Sequence, residues 1–204
     1  MDLKDKIRTR QARIGIIGLG YVGLPLAVEF SKAGFEVTGF DVDLAKVDAI
    51  NKGRSYIGDV SSEDVSAASK AGKLSATADM SRLHDMDAID ICVPTPLRKT
   101  RDPDLSYVVL AVDAVRAQLR AGQLVILEST TYPGTTDEVV QPALEESGLK
   151  AGKDFHLAFS PERVDPGNVT HTTRSIPRWS AGSTRRAPSW RLSCTDRSSA
   201  QSCR

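Results

Sequence analysis

Cysteine is scarce in this chain, with three in 204 residues, at positions 92, 194 and 203. None of the three shows metal-ligand spacing. Cys92 lies in an apolar run and reads as a small buried hydrophobe. Histidine is as sparse, and His84, His156 and His171 are scattered rather than clustered. A structural role outweighs a ligand role for each, and no metal is expected. Long apolar runs are also missing, and none approaches the roughly 20 residues that span a bilayer. The first 13 residues are charged and polar without an apolar h-region, so they do not read as a signal peptide. No excess of either charge is present, since Lys and Arg number 27 against 26 Asp and Glu. That balance implies neither a nucleic-acid nor a membrane partner, and a cytoplasmic location is expected. The length suits one domain with a proper core, or one domain and a fragment of another.

What is present is organised around Ile14 to Gly23, which reads I-G-I-I-G-L-G-Y-V-G. A short apolar, β-rich run ends in Gly18, Gly20 and Gly23, as a buried parallel strand should. Beyond Gly23 the apolar residues Leu24, Leu26, Ala27, Val28 and Phe30 take up a helical face. The glycines therefore mark a strand-to-helix turn, the context in which G-x-G-x-x-G has a physical meaning. Gly18 permits the tight turn, Gly20 lets backbone approach a pyrophosphate, and Gly23 lets helix pack on strand. Tyr21 and Val22, inside the loop, join the expected cofactor-binding set. The helix N-terminus directs N–H groups and a partial positive charge at the phosphates. The next strand, Glu36 to Phe40, is followed by Asp41. An acid about 20 residues past the glycines can accept from both ribose hydroxyls of NAD, and it would repel the 2′-phosphate of NADP. NAD is the expected cofactor.

The rest of the chain alternates strand and helix. Leu44 to Asn51 reads as a helix stopped by Gly53, and Ser62 starts another that runs to Lys70. Strands are expected at Lys73 to Thr77, Ala88 to Val93, Leu124 to Leu127 and Phe155 to Phe159. Asp104 is expected to cap a helix with Val108, Val109, Val112, Val115 and Leu119 on its apolar face, and Thr136 to Glu146 reads as a further helix. This order predicts an α/β Rossmann-type doubly wound parallel sheet of about six strands with helices on both faces. The expected divisions are a charged extension over 1–11, the NAD-binding domain over 12–160, the start of a connector over 161–177 and a tail over 178–204.

In such a sheet the loops at the carboxyl ends of strands build the site. Three are rich in polar groups. V-P-T-P offers Thr95 on a backbone stiffened by two prolines, E-S-T-T-Y-P-G-T-T is dense in hydroxyls, and S-P-E-R brings Glu162 to the same edge. Each alone is explained by turn and cap chemistry. Three converging beside a dinucleotide fingerprint point to a site.

Together these pieces resemble the UDP-glucose/GDP-mannose dehydrogenase family. The matching segments are G-L-G-Y-V-G-L-P-L at 18–26, G-F-D-V-D at 39–43, N-K-G-R-S at 51–55, C-V-P-T-P at 92–96, E-S-T-T-Y-P-G-T-T at 128–136 and F-S-P-E-R at 159–163. The segment at 96–107 is most similar to the branch that acts on UDP-N-acetylglucosamine. The resemblance implies oxidation of the C6 alcohol of a UDP-sugar to a carboxylate with two NAD, through a thioester on an enzyme cysteine. It also implies Asp41 and Lys46 at the adenosine end of NAD, Thr95 and Thr130 near the reacting centre, Thr130 positioning water, and Glu162 as the catalytic glutamate. Pro166 stands where some relatives carry a second acid. The family's central dimer helix, cysteine nucleophile and sugar-nucleotide domain would follow beyond this chain. Full-length members are expected to be homodimers, and the chain alone is expected to be inactive. Cys194 and Cys203 are not in the nucleophile's context. An NAD-binding module without catalysis is one alternative. Another is a Rossmann dehydrogenase of the β-hydroxyacid type, against which the C-V-P-T-P and S-T-T-Y-P-G loops argue.

From Arg178 to Arg204 the composition turns to Ser and Arg, without Lys or Glu, and periodicity is lost. Disorder is one expectation. A frameshift is a more specific one. Written with suitable codons, the stretch from Arg178 regroups to V-V-G-G, the family's sequence after Ile-Pro, and Ser189 to Ser199 regroups to L-A-A-E-L-Y-R-S-I-V. The single codons of Trp179 and Trp190 both fit, and the recovered string is apolar at helical spacing.

Overall fold

The computed structural model describes residues 1–99 and 103–161, together with the backbone of residues 181–182. Six parallel strands form its centre: β1 (Arg13–Ile17), β2 (Glu36–Phe40), β3 (Leu74–Thr77), β4 (Ala88–Ile91), β5 (Leu124–Leu127) and β6 (His156–Phe159). They lie in the order β3-β2-β1-β4-β5-β6, and β7 (Ala181–Gly182) adds antiparallel to β6. The order reverses between β1 and β4. That switch point opens a crevice at the carboxyl edge of the sheet.

Every residue of β4 and β5 is buried, which is why, Asp90 apart, these runs are apolar rather than alternating. Alternate residues serve two layers. Ile14 and Ile16 of β1 pack with Leu24 and Val28 of α2 (Gly23–Lys32) and Val65 of α4 (Ser62–Lys70), while Ile17 joins the layer containing Val108, Val112 and Val115 of α5 (Ser106–Gln118). Helices thus cover both faces.

Element bounds agree with the sequence reading at β2, β5 and α3 (Leu44–Asn51). Four places differ. Strand β4 ends at Ile91, two residues early, because Pro94 removes the donor that would continue the ladder. The helix expected over Thr136 to Glu146 is a π turn, Thr136–Val140, running into α6 (Gln141–Glu145). Pro142 lacks an N–H and its ring crowds the carbonyl four residues back, which a wider turn relieves. Asp104 does not occupy the N-cap of α5. Leu105 does, while the Asp104 carboxylate accepts from Ser106 N–H at 3.0 Å and pairs with Arg98 at 3.0 Å. Val109, expected on the apolar face, is 42 % exposed.

The segment expected as a charged extension over 1–11 contains α1 (Leu3–Arg8), capped by Asp2. Leu3 packs against Ala88, Leu124, Ile126 and Ala158, and Lys6 Nζ meets the buried carboxylate of Asp87 at 2.7 Å. Within the tail expected over 178–204, Ala181 and Gly182 form β7 and align with Phe159 and Ala158; the rest of that tail, and the expected connector from 162 to 177, lie outside the described residues. Backbone pairing on an open sheet edge requires no apolar side chain, so composition gives no sign of it.

Candidate cofactor site

Strand β1 delivers the glycine loop to the switch point. Gly18 has φ +91°, its N–H donates to the Phe40 carbonyl at 2.8 Å, and a Cβ there would lie 2.6 Å from the Cys92 carbonyl oxygen. A Cβ on Gly23 would lie 1.8 Å from the Gly18 carbonyl oxygen, so only glycine lets α2 start this close to the loop. Gly20 is different, because nothing lies within 4 Å of where its Cβ would be. The chain's own backbone closes around two glycines and leaves the third facing open space. Helix α2 begins there with no side-chain cap and no acid in its first turn. The electropositive helix end is therefore left for an external anion. Tyr21, 62 % exposed, and half-buried Val22 stand at the rim.

Asp41 follows β2 and is buried. Its Oδ2 accepts from Leu19 N–H at 2.9 Å and from Lys46 Nζ at 3.3 Å, and its Oδ1 accepts from Asp43 N–H at 2.9 Å. A carboxylate offers about four acceptor positions, so capacity remains for a ribose hydroxyl. Lys46, from the first turn of α3, partly offsets the charge. The residues present fit a dinucleotide: an open glycine, an uncapped helix start and an oriented acid meet at one sheet edge.

The loops after β4 and β5 form a second group on the same edge. Thr95 Oγ1 donates to the Thr130 carbonyl at 2.6 Å, and Ser129 Oγ donates to the carbonyls of Val93 at 2.9 Å and Ile91 at 3.2 Å. The two loops are strapped together, with the Thr130 side chain exposed. Glu162 lies outside the described residues. Among the described residues no group of histidine, cysteine and acidic side chains could hold a metal ion, and no helix is long and apolar enough to cross a membrane.

Two contributors were missed by the sequence reading. Ser129 is one. The other is Tyr56, whose hydroxyl donates to the Leu19 carbonyl at 2.7 Å. The hydroxyl-rich loop could have singled out Ser129, but nothing local marks Tyr56, because its partner is 37 residues away.

The sequence profile of the UDP-glucose/GDP-mannose dehydrogenase family, NAD binding domain, matches residues 12–191. A UDP-N-acetyl-D-glucosamine 6-dehydrogenase of Pseudomonas aeruginosa is 38 % identical over 176 residues, covering 86 % of this chain and 41 % of the relative. A GDP-mannose 6-dehydrogenase of the same species is 40 % identical, over 74 % of this chain and 36 % of the relative. Among solved structures, an NDP-N-acetyl-D-galactosaminuronic acid dehydrogenase from Methanosarcina mazei superposes with a TM-score of 0.79 at 36 % identity, covering 91 % of this chain and 42 % of that one. The chain thus spans about 40 % of the length of the curated relatives it matches. A Rossmann sheet with its glycine loop at the switch point, and a profile match over most of the length, lead to one conclusion: this chain belongs to the UDP-glucose/GDP-mannose dehydrogenase family and carries its NAD-binding domain.

Proposed function

We propose that this chain is the NAD-binding part of a nucleotide-sugar 6-dehydrogenase whose substrate is UDP-N-acetylglucosamine or a related UDP-sugar. The open face of Gly20 between the closed Gly18 and Gly23 carries the reading, because it leaves room for a pyrophosphate where the uncapped start of α2 would stabilise it. In this reading the backbone from Gly18 to Gly23, with Tyr21 and Val22, holds the diphosphate. Asp41 accepts at the adenosine ribose, and Lys46 stands beside it. Thr95 and Thr130 border the reacting end, where Thr130 positions water and Glu162 serves as the catalytic glutamate. Bound NAD supplies the hydride acceptor for the sugar alcohol. The complete enzyme would be a homodimer that makes a sugar-nucleotide carboxylate for polysaccharide building.

The alcohol must be held against the acceptor within a fraction of an ångström for hydride transfer, and this chain offers no cysteine in the family's nucleophile context. The 204-residue chain therefore binds NAD without turning over UDP-N-acetylglucosamine or UDP-glucose. Steady NADH production from the purified chain with either sugar would overturn that statement.

We also infer a change of reading frame near Arg178, supported by the V-V-G-G string and the recovered helical periodicity. Under this reading, a one-base correction near codon 178 yields a longer, active dimer. A second reading keeps the visible frame further along. It is favoured by the pairing of Ala181–Gly182 with β6 and by the family match running to residue 191. Reading the genomic sequence through and past codon 204 in all frames separates the two. The family's nucleophile motif in a shifted frame supports the first, and its absence from all shifted frames overturns it.

A further inference from the structure

We propose that Tyr56 is a positioning residue that aims the Gly20 N–H at the cofactor's pyrophosphate. The inference rests on the NAD reading of the glycine loop and assigns a role to a residue outside it.

The peptide joining Leu19 to Gly20 is the point of control. A trans peptide is planar, with its C=O and N–H pointing in opposite directions. Whatever fixes the Leu19 carbonyl therefore fixes the Gly20 N–H. The Tyr56 hydroxyl donates to that carbonyl at 2.7 Å. Leu19 is anchored at two further points. Its N–H donates to Asp41 Oδ2 at 2.9 Å, and its buried side chain lies under Gly39, where a Cβ would come within 2.6 Å of Leu19 Cδ2. One peptide plane is left to be set, and Tyr56 sets it. Without that bond the plane has a glycine on one side and open space beside it. Rotation would then turn a carbonyl oxygen toward the phosphates in place of a donor.

Tyr56 itself is held on a firm platform. The Asn51 side chain bonds both the N–H and the carbonyl of Ala76 at 2.9 Å, docking the end of α3 onto the edge strand β3. Ile57 and Val60, on either side of the loop tip, are buried in the core. Tyr56 is 38 % exposed, yet partial burial of the phenol, then the nearby carboxylates of Asp41 and Asp43, push it well above its ordinary value, so it remains a donor at neutral pH.

The test is Tyr56→Phe in the 204-residue chain, which keeps the ring and removes one hydroxyl. NAD affinity by calorimetry should fall about fivefold to tenfold, with the apo melting midpoint moved by no more than about a degree. In apo spectra the Leu19 carbonyl carbon should shift upfield and the Gly20 amide should move, a change that loss of packing elsewhere would not produce. In the unsubstituted chain, the Gly20 amide should be among those most displaced when NAD is added. An affinity within twofold of the parent, or an unmoved Leu19 carbonyl in the variant, overturns the role of Tyr56. A parent chain that fails to bind NAD overturns the cofactor reading instead, so the two failures are distinguishable.

Discussion

At the residue scale the three glycines differ in kind, and substitution should separate them. Alanine at Gly23 forces a methyl to 1.8 Å from a backbone oxygen. It should cost about 2–3 kcal/mol, as overpacking does, and weaken NAD as a consequence. Alanine at Gly20 meets nothing within 4 Å, so the fold should tolerate it. In the proposed site the methyl would stand in the path of the phosphates, and NAD affinity should fall at least tenfold. Thermal melts paired with calorimetry check both. A Gly20→Ala chain that binds NAD as the parent does would contradict the assigned approach path. The positions of these glycines and Asp41 at the sheet edge were legible in the sequence because they belong to a local pattern of strand, turn and helix. Ser129 and Tyr56 were not, because their roles arise from carbonyls that the fold brings back from 36 and 37 residues away. The placements of Thr95 and Thr130 at the sheet edge were legible, but the 2.6 Å strap between their loops was not.

At the element scale, periodicity located the helices from α2 onward, and local chemistry shifted some of their ends. Pro142 was visible in the sequence, but its effect was a wider turn rather than a break. The N-terminal helix was hidden because its stability comes from outside itself. Asp87 ties it down: the carboxylate accepts from Lys6 at 2.7 Å, from Arg120 at 3.0 Å and from the Arg13 N–H at 3.0 Å. Burial pushes the Asp87 carboxyl up, but the Lys6, Arg13 and Arg120 hydrogen bonds outweigh it and hold it below its ordinary value. A carboxyl lowered in the fold stabilises the protein above its unfolded value, near about 4. That contribution is lost as pH falls through the lower folded value. Asp87→Asn should therefore cost about 2 kcal/mol at neutral pH, allowing for partners that keep some hydration. It should also flatten the decline in melting temperature between pH 5 and pH 3. An unchanged acid limb in the variant would mean that Asp87 does not carry this linkage.

On the scale of the whole molecule, six parallel strands in the order β3-β2-β1-β4-β5-β6 follow from alternating strands and helices joined by right-handed crossovers. The edge pairing of β7 does not follow from any such pattern. Its two residues gain backbone bonds worth about 0.5–1.5 kcal/mol each net, against an ordering cost of about 1–2 kcal/mol per residue. The terms nearly cancel. A chain ending at Pro177 should thus melt within about two degrees of the 204-residue form. A midpoint several degrees lower would show packed structure beyond Pro177 and count against the change of frame. Tyr107, Val109 and Leu110 leave α5 with an apolar outer face, 47 %, 42 % and 67 % exposed. Such a face favours self-association at high concentration.

The proposed NAD site rests on the glycine loop and Asp41 acting together. Its most direct test is calorimetric titration of NAD and NADP against the parent chain and Asp41→Ala. The parent should prefer NAD by at least tenfold, and the variant should lose most of that preference. Equal affinity of the parent for the two cofactors, or a preference unchanged by Asp41→Ala, would contradict it.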